Sequence, residues 1–150
     1  EKLMINISAN SEITPELIQQ YIGISKDYNS FELNNALGLK DILKANRIVN
    51  HFAANEKDNP IFITTGTLYG YFSKLLIYHS LPDKKTAAAT LGVNPYFVKD
   101  YAKSANNYSP PKVRKIISDL RECDMKSKGW NNNTASHGEL LKELVYKILH

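Results

Sequence analysis

Apolar residues recur along this chain at helical spacing. Leu39, Ile42, Leu43, Val49 and Phe52 fall close to one face of a single helical track, and Leu68, Tyr71, Phe72, Leu75 and Leu76 form a second stripe. Val113, Ile116, Ile117 and Leu120 make a third. Near the end, Leu140, Leu141, Leu144, Val145, Ile148 and Leu149 share one side, with Lys142, Glu143 and Lys147 opposite or flanking. Recurrence at i, i+3, i+4 and i+7 gathers side chains on one face of a 3.6-residue helix, whereas a half-buried strand alternates. Alternation is confined to a short start at Leu3 to Ile7.

Polar punctuation divides these stripes. Four of the six prolines directly follow Thr, Asn or Ser, in Thr14-Pro15, Asn59-Pro60, Asn94-Pro95 and Ser109-Pro110. Each pair has the form of an N-cap followed by N1: the polar side chain accepts from an orphan N–H of the first turn, and proline supplies the helical φ. Asn29-x-x-Glu32 and Ser136-x-x-Glu139 have the spacing of capping boxes, and Ile13 with Ile18, and Val93 with Val98, that of hydrophobic staples. Gly23, Gly38, Gly92 and Gly129 stand where helices should stop.

Together these signals predict an all-α, compact bundle of about seven to eight helices, near 14–22, 30–37, 40–55, 60–80, 84–91, 95–107, 110–128 and 137–149. The short connections favour antiparallel neighbours. A seam around 23–29 separates the first capped helix from the rest, which divides the chain into 1–27 and 28–150. Asn131-Asn132-Asn133 reads as an exposed, mobile loop.

Bulk properties narrow the class without choosing a function. The 150 residues suffice for one good hydrophobic core. With 43% apolar and 23% charged residues, the chain reads as soluble and globular. No apolar run reaches the length of a membrane span, and Glu1-Lys2-Leu3 has neither an initiator Met nor a signal-peptide core, so the sequence reads as part of a longer, cytoplasmic protein. The single Cys123 cannot form an internal disulfide, and a net charge of +4 is compatible with a polyanionic partner without requiring one.

Catalytic patterns are missing. A nucleotide hydrolase needs a glycine-rich loop ending in Gly-Lys-Ser/Thr to cradle phosphates. Thr64-Thr65-Gly66-Thr67-Leu68-Tyr69-Gly70 has two glycines but no such lysine, and its apolar continuation reads as a packed helix. His51, His79, His137 and His150 show no i, i+4 pairing, so no zinc-hydrolase ligand set forms. Glu32, Asp41, Asp119, Glu122 and Asp124 lie in helical surroundings that predict solvated faces and ion pairs. Cys123, on the helix carrying Val113 and Leu120, reads as an inert, half-buried thiol. The expectation is a chain with no catalytic residue, no cofactor and no metal.

Residues 84–107 have the outline of a helix-turn-helix, with small alanines, a Leu91-Gly92 corner and a capped second helix with Val98 inward. A sequence-specific reader needs Arg, Asn or Gln near the start of that second helix. Here the outward residues are Asn94, Tyr96, Lys99, Asp100 and Lys103, with no arginine. A helix corner within a bundle is the favoured reading, and a helix-turn-helix DNA-binding protein the alternative. Lys99, Lys103, Lys112, Arg114, Lys115, Arg121, Lys126 and Lys128 make 99–128 locally basic, but Asp100, Asp119, Glu122 and Asp124 interrupt the charge at pairing distance along a helix.

The order of landmarks resembles one family. Ile13-Thr14-Pro15-Glu16-Leu17-Ile18, then Tyr28-Asn29-Ser30-Phe31-Glu32-Leu33-Asn34-Asn35-Ala36-Leu37, look like the end of the lid domain and the entry to the collar of the DNA polymerase III delta subunit, a bacterial clamp-loader component. A helix near Lys40-Asp41 with Ala45 and Ile48, and a long apolar helix opened by Pro60, follow in the same order. Ala87-Ala88-Ala89-Thr90-Leu91-Gly92-Val93-Asn94-Pro95-Tyr96-Phe97-Val98-Lys99 resembles that family's corner. Leu120-Arg121-Glu122-Cys123-Asp124-Met125-Lys126-Ser127-Lys128-Gly129 resembles its helix end, with Cys123 where alanine is usual.

The resemblance implies a collar-like helical oligomerisation domain over 28–150 and a lid remnant and linker over 1–27. It implies a non-catalytic role in DNA replication, the loader ATPase residing in other subunits of the polymerase complex. The partners it implies are the gamma/tau and delta prime subunits through the collar, primed DNA, and the sliding clamp through an N-terminal domain outside this sequence. Asn94, Tyr96, Lys99 and Lys103 are the candidates for DNA contact.

Overall fold

The computed structural model describes residues 28–131 and 134–150. The expectations for the 14–22 helix, its Thr14-Pro15 cap, the Ile13–Ile18 staple, Gly23 and the Leu3 to Ile7 start lie outside the described residues. Among the described residues seven α-helices follow one another: α1 (Ser30–Gly38), α2 (Ile42–Ala54), α3 (Ile61–Ser80), α4 (Ala87–Leu91), α5 (Val98–Asn107), α6 (Pro110–Ser127) and α7 (His137–Leu149). Single 3₁₀ turns, Lys84–Thr86 and Pro95–Phe97, lead into α4 and α5. There is no strand among the described residues.

Most helices begin where their polar signals stand. Asn29 Oδ1 accepts from Glu32 N–H at 2.9 Å, Asn94 Oδ1 from Tyr96 N–H at 2.8 Å, and Ser109 Oγ from Lys112 N–H at 3.4 Å. At α7 the capping box closes in both directions, Glu139 N–H donating to Ser136 Oγ at 3.1 Å and Ser136 N–H to Glu139 Oε1 at 2.8 Å. Each such cap satisfies donors that the first turn cannot pair internally. Glu32 turns its carboxylate to Lys44 Nζ, 2.7 Å away on α2.

Two local expectations are corrected. Pro60 is the N-cap of α3 rather than its first helical residue, with ψ at 135° and no side-chain cap. Asn59 closes the preceding segment instead, its Nδ2 donating to Asn55 O at 3.0 Å while Asn55 Nδ2 donates to His51 O at 2.9 Å. Likewise Leu39, Ile42 and Leu43 do not continue the buried stripe of α2. Lys40 adopts a φ of 54° and Asp41 caps a new helix, so the helical phase is reset between Gly38 and Ile42. Ala45, Ile48, Val49 and Phe52 are the buried set, and Leu43 remains 64% exposed.

The other stripes pack as their spacing requires. α3 runs through the bundle against α1, α5 and α6, contributing Leu68, Phe72 and Leu75; α6 answers with Val113, Ile116 and Leu120. α7 lies against α2 and α6, burying all six residues from Leu140 to Leu149 named above. Burial of each such aliphatic or aromatic side chain stabilises the fold by roughly 1.5–3 kcal/mol before conformational entropy is subtracted.

Tertiary hydrogen bonds finish helix ends that local sequence leaves open. Tyr108, fully buried, donates its hydroxyl to Leu37 O at 2.5 Å, and Asn107 Nδ2 donates to Gly38 O at 2.8 Å. These take the last carbonyls of α1. Lys84 Nζ donates to Tyr78 O at 2.6 Å and Leu81 O at 3.0 Å, closing α3, and Glu56 Oε2 accepts the first-turn Gly138 N–H of α7 at 2.8 Å. Beside the α1 end, the Tyr71 hydroxyl is hydrogen-bonded to Ser104 Oγ, and the Tyr71 ring stacks on Tyr101 at 5.1 Å.

Gly38 sits against that pair. A Cβ there would overlap both the Tyr71 hydroxyl and Ser104 Oγ. The stacked Tyr71 ring cannot swing aside freely, so Gly38→Ala is expected to destabilise the chain by about 1–3 kcal/mol; an unchanged denaturant midpoint would contradict this close approach.

Burial pushes the Tyr71 phenol up to about 12, with Tyr101 and Asp100 adding to the effect and the Ser104 bond opposing it. Tyr108 is raised further, chiefly by burial. In the unfolded chain these phenols lose their protons near pH 10. Above about pH 10 the unfolded state therefore binds fewer protons than the folded one, and stability falls as pH rises. Stability measured from about pH 8 to 12 should begin to fall near pH 9, where the buried Cys123 thiol, raised to about 11 in the fold, ionises in the unfolded chain, and should fall more steeply above about pH 10 as the phenols join it. The decline should be shallower in Tyr71→Phe; an identical slope in that variant would remove Tyr71 from the linkage.

Candidate functional site

The corner between α4 and α5 is built by backbone geometry that its sequence specifies. Gly92, at a φ of 69°, ends α4 in the left-handed conformation that glycine adopts without strain, and Val93 N–H returns to Ala88 O at 3.1 Å. Asn94 then caps the turn that enters α5. Val93 and Val98 are partly buried against the core, which fixes the corner on the bundle.

Beyond the corner, Tyr96, Lys99 and Lys103 are exposed at i, i+3 and i+7, a spacing that places them along one helical face. Tyr96 is 65% exposed, its ring meets Phe97 edge-on at 5.3 Å, and Lys99 Nζ lies 4.5 Å from the Tyr96 centroid. An aromatic face beside an ammonium, with a second lysine one turn on, can stack a base and meet a phosphate. Asn94 is exposed too, but its side-chain oxygen is committed to Tyr96 N–H, so only its amide donors remain for a ligand. The structure thus places three of the four candidates on one face and gives Asn94 a capping duty beside them.

Asp100 lies elsewhere. It lines an open groove of about 740 Å³ between α1, α3 and α5, together with Phe31, Asn34, Gly66, Gly70 and Phe97. Sequence reading finds none of this groove, because its walls come from segments that meet only after folding.

Beyond α5, three of the six Lys and Arg side chains of the basic stretch hold carboxylates. Lys115 pairs with Asp119 at 2.8 Å and Lys126 with Glu122 at 3.3 Å along α6, and Lys128, just past its end, with Asp124 at 3.0 Å, each at i, i+4 spacing. Lys112 Nζ donates to Lys147 O at 2.9 Å, in the last turn of α7. Glu122, held between Lys126 and Lys147, has its carboxyl pulled below the usual range.

Cys123 is buried, its thiol directed at Leu140 O at 3.8 Å. Burial raises its pKa to about 11, so the thiolate is scarce at neutral pH. The histidines have structural surroundings: His79 Nε2 lies 2.7 Å from Tyr108 O, His137 Nε2 3.1 Å from Ser127 O, and His51 stacks on Tyr28 at 4.7 Å.

These features sit within a recognisable sequence family. The family described as DNA polymerase III delta subunit, C-terminal domain, matches residues 27–142. The chain belongs to that family. Among solved structures, the Bacillus subtilis DNA clamp loader delta protein (YqeN) superposes with a TM-score of 0.67 at 22% identity. That alignment covers 99% of this chain and 43% of the Bacillus protein, so the delta-family domain described here spans less than half of that protein's length. No curated protein matches the chain.

The delta-family match includes the corner, the Tyr96 face and Cys123. A protected Cys123 makes a direct prediction. The folded chain should resist alkylation at pH 8 under conditions in which the urea-unfolded chain reacts readily; equal rates would show the thiol to be accessible.

Proposed function

We propose that this delta-family chain is a non-catalytic assembly part of a clamp loader: residues 28–150 act as the collar that holds loader subunits together while the sliding clamp is placed on primed DNA in replication. The observation that carries this reading is the family match over residues 27–142. The solved relative is itself a clamp loader delta protein, which supports the same role. The physical character of the surface agrees: Phe31, Leu43, Phe62 and Trp130 are large apolar side chains left exposed around a well-packed core, as partner-facing surfaces require.

In this reading residues 1–27 are the end of a lid domain and a linker, the gamma/tau and delta prime subunits are the collar's partners, and contact with the sliding clamp belongs to an N-terminal domain. The loader works in the cytoplasm, its ATP hydrolysis residing in other subunits. The Tyr96–Lys99–Lys103 face, with Asn94 at its edge, touches the primer or template end inside the assembly. Tyr96 stacks on a base and the two lysines meet phosphates.

Mixing the complete subunit with the other loader subunits should give co-elution on size exclusion; its absence, with tight sequence-selective binding to duplex DNA, would favour a free-standing helix-turn-helix protein. Base stacking contributes about 1–3 kcal/mol. Tyr96→Ala in the complete subunit is therefore expected to weaken loading on primed DNA several-fold or more while leaving co-elution intact. Unchanged loading would withdraw the DNA contact.

A further inference from the structure

The two halves of α3 are held by different means. Its second half is tied to other elements: the Tyr71 hydroxyl is hydrogen-bonded to Ser104, Phe72 meets Tyr108 edge-on at 5.6 Å, His79 Nε2 lies 2.7 Å from Tyr108 O, and Lys84 Nζ closes the end on Tyr78 O. In residues 61–70 the threonine hydroxyls turn back on the same helix instead. Thr65 Oγ1 donates to Ile61 O at 3.1 Å and Thr67 Oγ1 to Ile63 O at 2.8 Å. Such back-bonding slightly weakens a helix and often bends it.

Local sequence weakens the first half further. Leu68 alone among residues 61–70 is a strong helix former; Ile61, Ile63, Thr64, Thr65 and Thr67 are β-branched, Phe62 and Tyr69 are aromatic, and Gly66 and Gly70 stand in the helix interior. The helix also starts without help: Pro60 brings no side-chain cap, and the first turn has no acidic residue to meet the N-terminal dipole. Burial of Ile61, Thr64, Thr65 and Leu68 keeps this half helical, while Phe62, Ile63 and Tyr69 stay exposed on its other side.

Packing among the described residues does not require the glycines, since an added Cβ at Gly66 or Gly70 would meet nothing within 4 Å. Both line the groove between α1, α3 and α5, with Thr67 beside them. A bend at this point moves one wall of the groove and leaves the Tyr108 junction of the second half in place.

We propose that residues 61–70 form a hinge in α3: they open as one local unit while the second half stays fixed, and clamp loading uses that yield to reset the width of the groove. The use in loading rests on the assembly role proposed above; the local opening does not.

Amide hydrogen exchange on the complete subunit tests the opening. The first four amides of any helix lack an intrahelical acceptor, so the comparison is between 65–70 and 75–79. Protection factors in 65–70 are expected to be lower by roughly tenfold or more, because a local opening costs less than global unfolding. Gly66→Ala/Gly70→Ala stiffens the segment without a clash and should raise protection in 65–70 about thirtyfold, with a higher thermal midpoint. The double variant should still co-elute with the other loader subunits but load the clamp on primed DNA more slowly, by about threefold or more. Equal protection along α3, protection that the double variant leaves unchanged, or an undiminished loading rate overturns the hinge. Loss of co-elution in the double variant alone makes the glycines a contact surface and likewise overturns it. Failure of the wild-type subunit to co-elute overturns the assembly role and the use in loading, and the local opening then stands or falls on the exchange pattern of the free subunit.

Discussion

The end of α1 is the point on which the rest of the arrangement depends. A helix that stops inside a protein leaves carbonyls that must find donors, and here those of Leu37 and Gly38 find them on Tyr108 and Asn107, some seventy residues later. Tyr108 is fully buried, meets Phe72 edge-on at 5.6 Å and offers its own carbonyl to His79. One residue therefore ties the end of α1, the middle and end of α3 and the end of α5. The Tyr71–Ser104 bond runs beside it, with Gly38 allowing the close approach. A side chain at residue 38 would separate helices whose spacing defines both the groove and the bearing of α5.

That junction also explains which parts of the fold could be read from sequence. Caps and stripes are local: Ser136 and Glu139 are three residues apart, and Leu140 to Leu149 carry their periodicity within one helix, so both were legible. Asn59-Pro60 had the right local form but the wrong duty: the Asn59 amide turns back to donate to the carbonyl of Asn55, and Pro60 itself stands at the N-cap. Leu39 seemed in phase with Phe52 only while the chain between them was taken as one helix; the left-handed Lys40 breaks that phase. The tertiary caps from Tyr108, Asn107 and Glu56 carried no local signal, since donor and acceptor meet only once the bundle is assembled.

The candidate site divides in the same way. The corner and its outward Tyr96, Lys99 and Lys103 were legible because glycine, a cap and a helical repeat specify them within a short span. Local charge density was a poorer guide. Residues 99–128 are rich in lysine, but along α6 and at its end three lysines hold carboxylates one turn away, which reduces the field that side offers to a polyanion. Lys99, over an aromatic ring, presents a positive charge together with a stacking surface, so Tyr96 rather than the lysine count distinguishes this face.

Gly66 and Gly70 carry the last step. In the sequence they stand in a stretch that lacks the lysine of a phosphate loop and continues into an apolar run, which leaves their purpose open. In the fold the same run is the longest helix among the described residues, and the glycines lie on the side away from the core. Glycine weakens a helix interior by roughly 1 kcal/mol relative to alanine, and no neighbour among the described residues requires its small size at either position.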